Sequence, residues 1–497
     1  MEPIGTVTNF YPFLTVDTRK IIETVLNSAD GYDDFIEKIV DRALNQDKTT
    51  DLALFATIQS WISGNHEFFK KLRPRLLEDD ILKPWSYHED FAKKESDGFP
   101  TAFKLAMSKT PAAWVQLHLH MMGSMYYNPP IDREISLDKS IELIEKQAEL
   151  ECFSPEIIIS KGWRKGTEGY LDEALKIFRD AKNIAEQFDD PIRASQAQYA
   201  LAGRLKEIDV FKALEVMEET FRTFKSLGAQ HWASKAAGRL GIFHTIIGEY
   251  DLAIEFYREM ERIQPQSLMG KIVIAGVLSR MYCDIDSPDE ALEWIKYALD
   301  DEDITPQGLK SLVKLNNPVY LLGVARTMLL LGDLETGSTL LNEANKQTLQ
   351  HGDEVPLIKY NYVAGLFEII AGNLDAGFQS MADALAEAER LNYQVFVNSI
   401  LLSLTKAEAR NYGGGGSIES SGPWMTRLGI HAQERNYPGI RMQHALLKAE
   451  YQEKIGETEA AQLTLQDALT FTDSPGVKTM RKRILEKLEK LESSVDA

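Results

Sequence analysis

Along most of this chain apolar residues return at helical spacing, in stretches that come in pairs, and a short polar phrase separates the two members of each pair. Clear copies of the phrase begin at Gly169, Gly248, Asp286, Gly332, Gly372 and Gly456, and a weaker one begins at Ile208. Five positions into each copy stands a small residue: Ala174, Ala213, Ala253, Ala291, Gly337, Gly377 and Ala461. Successive separations are 39, 40, 38, 46, 40 and 84, and the last equals two steps of 42, so a less regular pair lies between. A period near 40 with two helices per unit predicts an all-α chain of antiparallel helical hairpins stacked into a solenoid.

Each part of the phrase has a physical reason. The glycine follows the end of a helix, where a left-handed backbone is common and costs glycine nothing. The acidic residues beside it fall in the first turn of the next helix, where the helix dipole favours negative charge. The small residue lies where the second helix crosses the first, and a long side chain there would force the backbones apart.

Leu240, Gly241, Gly248, Ala253, Tyr257 and Pro265 fall at positions that resemble a tetratricopeptide repeat. Gly365, Gly372, Met381 and Ala384 match similar places in a later unit, and Leu278, Tyr282, Ala291 and Ala298 in another. The resemblance covers about residues 154–475 and departs from the pattern in two ways: the first-helix aromatic is often absent, and the units are longer than the usual ~34 residues. The longer unit resembles the variety found in maltose-regulator-type transcription activators, although the nucleotide-switch and DNA-binding domains of those proteins have no counterpart here. The resemblance implies a right-handed superhelix whose first helices line a concave surface and whose second helices face outward.

Residues 1–150 are helical in pattern without a clean repeat, with candidate helices at 18–28, 32–46, 51–63, 111–127 and 137–149. They are read as degenerate hairpins at the start of the solenoid or as a separate helical domain, and the stretch around Gly64 as a decayed turn phrase. Residues 151–475 form the repeat array. In 476–497, Met480, Ile484, Leu485, Leu488 and Leu491 make one apolar stripe, which predicts a capping helix or, alternatively, a helix for a coiled-coil partner. Gly413–Gly416 predict a loop within the less regular hairpin.

The totals narrow the function classes. The chain has 497 residues, 44% hydrophobic and 26% charged, as in an ordinary folded protein. Its net charge of −20 argues against nucleic acid and anionic membranes as general partners. No stretch approaches the ~20 apolar residues of a membrane span, Met1–Gly5 begin no secretion signal, and the two cysteines, Cys152 and Cys283, fit a reducing compartment; a cytoplasmic protein is expected. Chemistry is not legible. His118 and His120 lie two apart and so on different helix faces. Asp284, Asp286 and Asp289 resemble the start of a calcium loop but lack its central glycine and closing glutamate. No Walker loop, nucleophile elbow or dinucleotide motif occurs. The expectation is therefore no enzyme, no metal and no cofactor.

Charge divides between the two helices of each hairpin. The six first helices between 155 and 371 carry twelve cations and four acids, whereas the matching second helices carry eleven cations and twenty-three acids. A strongly acidic chain thus keeps a cationic series on the helices that the resemblance turns inward. The candidate groove residues are Arg204, Lys235, Arg239, Arg280, Arg326 and Lys359, with Tyr199 and Tyr362 as flat contact surfaces. The expected function is a protein–protein interaction scaffold that holds an acidic peptide or partner in a basic concave groove. The alternative is a small-molecule-sensing module with an anionic ligand. The sequence leaves the oligomeric state open.

Overall fold

The computed structural model describes residues 2, 4–45, 50–87, 99–110, 112–126, 130–264, 268–299, 313, 317–351, 354–411, 422–471 and 473–495, so the predicted loop at Gly413–Gly416 lies outside the described residues. The chain divides into two compact units, Met1–Arg239 and Leu240–Ala497. The division falls within the helix that spans Gln230–Ile247.

In the first unit, α1 (Gly5–Thr8), α2 (Val16–Ser28), α3 (Tyr32–Asn45), α4 (Thr50–Ser63), α5 (His66–Leu77), α6 (Phe99–Lys109), α7 (Ala113–Tyr126) and α8 (Pro130–Lys146) precede the array. The array begins with α9 (Ser154–Thr167), α10 (Leu171–Gln187), α11 (Pro191–Leu205) and α12 (Val210–Ser226), and α13 (Gln230–Ile247) runs across the division. In the second unit follow α14 (Tyr250–Ile263), α15 (Leu268–Asp284), α16 (Pro288–Leu299), α17 (Pro318–Leu330), α18 (Leu334–His351), α19 (Glu354–Ile370), α20 (Leu374–Arg390), α21 (Gln394–Asn411), α22 (Pro423–Glu434), α23 (Pro438–Lys454), α24 (Thr458–Ala468) and α25 (Lys478–Val495). All regular structure among the described residues is helical, arranged in antiparallel hairpins. No described helix is long and apolar enough to cross a membrane.

The local signals act as read. Gly169, Gly248, Gly332, Gly372 and Gly456 all have positive φ, and Asp286 takes the same backbone at its turn. Asp190, Asp209 and Asn317 cap α11, α12 and α17 by accepting hydrogen bonds from backbone N–H groups three residues on. The small residues sit at the crossings: Ala174, Ala253, Ala291 and Ala461 are fully buried, and a Cβ on Gly377 would lie 2.5 Å from Ile369. First helices are buried almost all round, as in α17, where residues from Tyr320 to Leu329 are enclosed, whereas second helices such as α20 bury a single stripe. The hidden hairpin is α21–α22, and Gly64, with φ of 69°, turns α4 into α5 as the decayed phrase implied.

The N-terminal helices dock on the array within the first unit. Gly5 N–H donates to the Asp189 carbonyl at 2.7 Å, Thr6 donates its hydroxyl proton to Asp190, and Asn9 reaches the Phe188 carbonyl. The α2–α3 turn meets the α12–α13 turn backbone to backbone, with Tyr32 N–H donating to the Leu227 carbonyl at 2.9 Å. Beside this seam the Asp33 carboxylate accepts from the His231 backbone N–H at 3.2 Å, while its other oxygen is enclosed without a partner. Burial pushes the Asp33 carboxyl up from 3.8 to about 7. The folded state then holds a proton that the unfolded chain has released, so stability falls as pH rises from about 4 through about 7. Asp33→Asn is expected to raise the denaturation midpoint at pH 8, on the order of 2 kcal/mol, and to leave it nearly unchanged at pH 4; equal midpoints of variant and parent at pH 8 refute this.

The second unit closes on itself. Helices α15, α17, α19 and α21 contact one another in cyclic order. In the last helix, α25, Met480, Ile484, Leu488 and Leu491 are buried with Met442, Leu465 and Ala468, whereas Leu485 is exposed. The same core includes Tyr250, Ala253 and Tyr257 of α14, and Thr479 donates its backbone N–H to Asp251 at 2.9 Å. Helix α25 therefore packs against both the last hairpin and α14.

Candidate functional site

The eight groove candidates fall into two sets, one in each unit. In the first unit the face of α11 and α13 is partly covered by the chain itself: Gln196 and Trp232 both donate to the carbonyl of Ile62, at 2.8 and 2.9 Å. Arg193, at the start of α11, is fully enclosed and paired with Asp190 and Glu156. It belongs to the docking seam.

What remains half-open is a strip along α9, α11 and α13 in which cations lie on aromatic rings. The Arg204 guanidinium lies 5.3 Å from the Trp163 ring centre, Arg239 lies 5.4 Å from Tyr199, and the Lys235 ammonium lies 4.6 Å from Trp232. Tyr199 and Trp232 meet edge to face at 5.6 Å, and Arg239 Nε donates to the Tyr199 hydroxyl at 3.0 Å. These contacts fix the cations in position while leaving most of their donors unused. Glu207 pairs with Arg204 at 3.2 Å and with Lys206 at 3.8 Å. Lys235 and Arg239, one helical turn apart on α13, have no carboxylate partner among the described residues. Burial, with the like charge of Arg239 added, lowers the Lys235 ammonium to about 8. Burial lowers Lys206 as well, reinforced by Arg239 and Arg204 against the pull of Glu207. Positive charge in this strip exceeds its local compensation.

In the second unit Arg280, Arg326, Lys359 and Tyr362 project into the interior framed by α15, α17, α19 and α21. Arg326 donates to Asp284 at 2.7 Å and to the Arg280 carbonyl at 3.4 Å, and lies over the Tyr362 ring at 5.2 Å. Asp284 also accepts from Ser399 of α21 at 2.6 Å, and the Asp284 carbonyl accepts from Lys406 at the same distance. Tyr362 shares a 2.7 Å hydrogen bond with Ser403, and Lys359 donates to the Val319 carbonyl at 2.5 Å. Burial first, then the charges of Arg280 and Arg326, lowers the Lys359 ammonium to about 7. Arg326, Lys359 and Tyr362 are thus enclosed and held by internal partners, and Arg326 and Arg280 are neighbours on adjacent first helices.

Sequence reasoning missed Ser399, Ser403 and Lys406, which come from the hairpin that lacks the turn phrase. It weighed Asp284 only as part of an incomplete calcium loop, whereas Asp284 is the buried acid at the centre of this cluster. His118 and His120 are both buried, and burial lowers their imidazoles to about 3 and about 4. Among the described residues no three His, Cys, Asp or Glu side chains group as metal ligands.

No family model matches this chain. No curated protein matches it either. Similar solved structures include the apo quorum sensor NprR from B. thuringiensis, at 10% identity over 80% of this chain and 98% of that one, with a TM-score of 0.34. Yeast Tom70 is similar at 10% identity over 86% and 97%, with a TM-score of 0.34. A signal-transduction ATPase with a tetratricopeptide-repeat sensor from Pyrococcus horikoshii is similar at 13% identity over 99% and 68%, with a TM-score of 0.31.

Proposed function

We propose that this chain is a non-enzymatic interaction scaffold that holds an acidic, extended peptide segment of a partner protein on the cation–aromatic strip of its first unit. The observation that carries the reading is the pair Lys235 and Arg239, which face the same way and have no carboxylate partner among the described residues. Their separation along α13 is about 6 Å, close to the ~6.6 Å between alternate residues of an extended chain. Acidic side chains at alternate positions of a partner therefore match both cations at once. Arg239 keeps its terminal amino groups for a bidentate carboxylate contact, and Tyr199 and Trp163 supply flat apolar surface between the charges.

The test uses a fluorescein-labelled peptide of alternating Glu and Ser, with a Gln and Ser peptide as control, and the full-length protein. Anisotropy should show binding of the acidic peptide alone, weakening as salt is added. Lys235→Glu with Arg239→Glu should cut affinity roughly tenfold or more while the circular dichroism of the protein stays the same. An acidic peptide bound equally well by the double variant refutes the reading.

A further inference from the structure

Among the described residues, the interior of the second unit holds more positive than negative charge. Arg280 reaches across from α15 to α21, where its guanidinium lies 5.9 Å from the Phe396 ring centre. Its Nε is enclosed without a hydrogen-bond partner, and no carboxylate pairs with it among the described residues. Taken as a whole residue, Arg280 is half-buried. Lys359 approaches the same region from α19: its ammonium lies 3.5 Å, and Ser279 Oγ of α15 3.7 Å, from where a Cβ on Gly323 would stand. Beyond the Val319 carbonyl it has no acceptor among the described residues. The one acid within the ring, Asp284, is committed to Arg326 and Ser399. Arg326 adds an enclosed Nε without a partner.

Among the described residues three cations therefore share one carboxylate, and the Nε groups of Arg280 and Arg326 have no acceptor. Unpaired buried charge is unfavourable unless a counter-ion accompanies it. Burial lowers the affinity of Arg280 for its proton, with Arg326 adding to it against the pull of Asp284, and burial with the charges of Arg280 and Arg326 lowers that of Lys359. A cavity of about 310 Å³, lined by Arg326, Ser403 and Lys406 but by neither Arg280 nor Lys359, opens beside this cluster at the Gly332 turn.

We propose that this interior is a binding site for a small oxyanion, of the phosphate or carboxylate class, received by Arg280 and Lys359 with Arg326 as the fixed third cation. The anion supplies the missing acceptors and links α15, α17 and α19, so its binding tightens the ring. This site is independent of the peptide strip on the first unit.

Thermal denaturation of the full chain in a buffer free of oxyanions, titrated with millimolar inorganic phosphate or with acetate, tests the proposal. A saturable rise in melting temperature with either anion is expected, phosphate alone identifying a free inorganic ion and acetate a carboxylate. Arg280→Met should weaken the response roughly tenfold or more and, without anion, should melt no lower than the parent, because it removes an unpaired buried charge. Arg239→Glu should respond as the parent does. No saturable rise with either anion, or an undiminished rise in Arg280→Met, overturns the proposal. If Arg280→Met does not fold, Lys359→Gln is read by the same criteria.

Discussion

Arg193→Ala should destabilise the first unit by about 3–5 kcal/mol, the range for removing one partner of a buried ion pair. Arg193 is fully enclosed. Its two terminal nitrogens donate to Asp190 at 2.7 Å and to Glu156 at 3.1 Å, and its own backbone N–H caps on Asp190 at 3.0 Å. Thr6 of α1 donates to the same Asp190 carboxylate, and the buried Tyr32 ring adjoins the cluster. Removing the guanidinium leaves two carboxylates facing each other away from water, beneath the segment that fastens the N-terminus to the array. Burial already raises the Glu156 carboxyl despite the arginine, and without the arginine Glu156 would bind its proton more tightly still in the folded state. The folded variant would then gain protons relative to the unfolded chain, so its deficit should shrink as pH falls. Urea denaturation at pH 8 and pH 5 measures both effects. A deficit below 1 kcal/mol at pH 8, or one that grows on acidification, would contradict the pairing. Limited proteolysis should also cut the N-terminal segment faster in the variant.

The same residue shows where sequence reading stopped. Arg193 and Glu156 were both counted in the charge division between first and second helices, and the division is real, but a count by helix does not see that the two neutralise each other. The repeat array was legible because its determinants are local and periodic: a left-handed turn residue, an acidic first turn and a small residue at the crossing recur within each hairpin. The docking of residues 5–33 on the α10–α13 turns was not legible. It joins backbone atoms about 180–200 residues apart, as in the Gly5 to Asp189 hydrogen bond, and has no period. Of the groove candidates, Tyr199, Arg204, Lys235 and Arg239 lie on a half-open strip. Arg326 and Tyr362 found internal partners on α15 and α21, helices that the repeat register alone does not bring round to face them.

Gly439→Val is the sharpest test of how the second unit closes, with an expected loss of about 3 kcal/mol or more. Gly439 stands in the first turn of α23, and a Cβ there would lie 1.9 Å from the carbonyl oxygen of Gly248 and 2.3 Å from its carbonyl carbon. Both neighbours are backbone, so no side chain can swing away. Gly248 is itself held in the left-handed region, at φ of 81°, and a Cβ on it would meet Ile440 N at 2.6 Å. The turn is fixed from other directions as well. Asn398 of α21 donates to the Ile246 carbonyl at 2.7 Å, and Gly476 sits where a Cβ would come within 2.4 Å of Glu249. Three segments distant in sequence thus converge on the α13–α14 turn, and displacing one displaces the packing of α14 against α23 and α25. Gly456→Val supplies the comparison. Gly456 has φ of 86°, but nothing lies within 4 Å of its absent Cβ, so it carries the conformational cost alone, about 1–2 kcal/mol. Urea denaturation of the two variants separates contact from conformation: Gly439→Val should lose the more, although its own backbone is ordinary helix. Equal losses, or a larger one at Gly456, would mean that α23 does not rest on the α13–α14 turn.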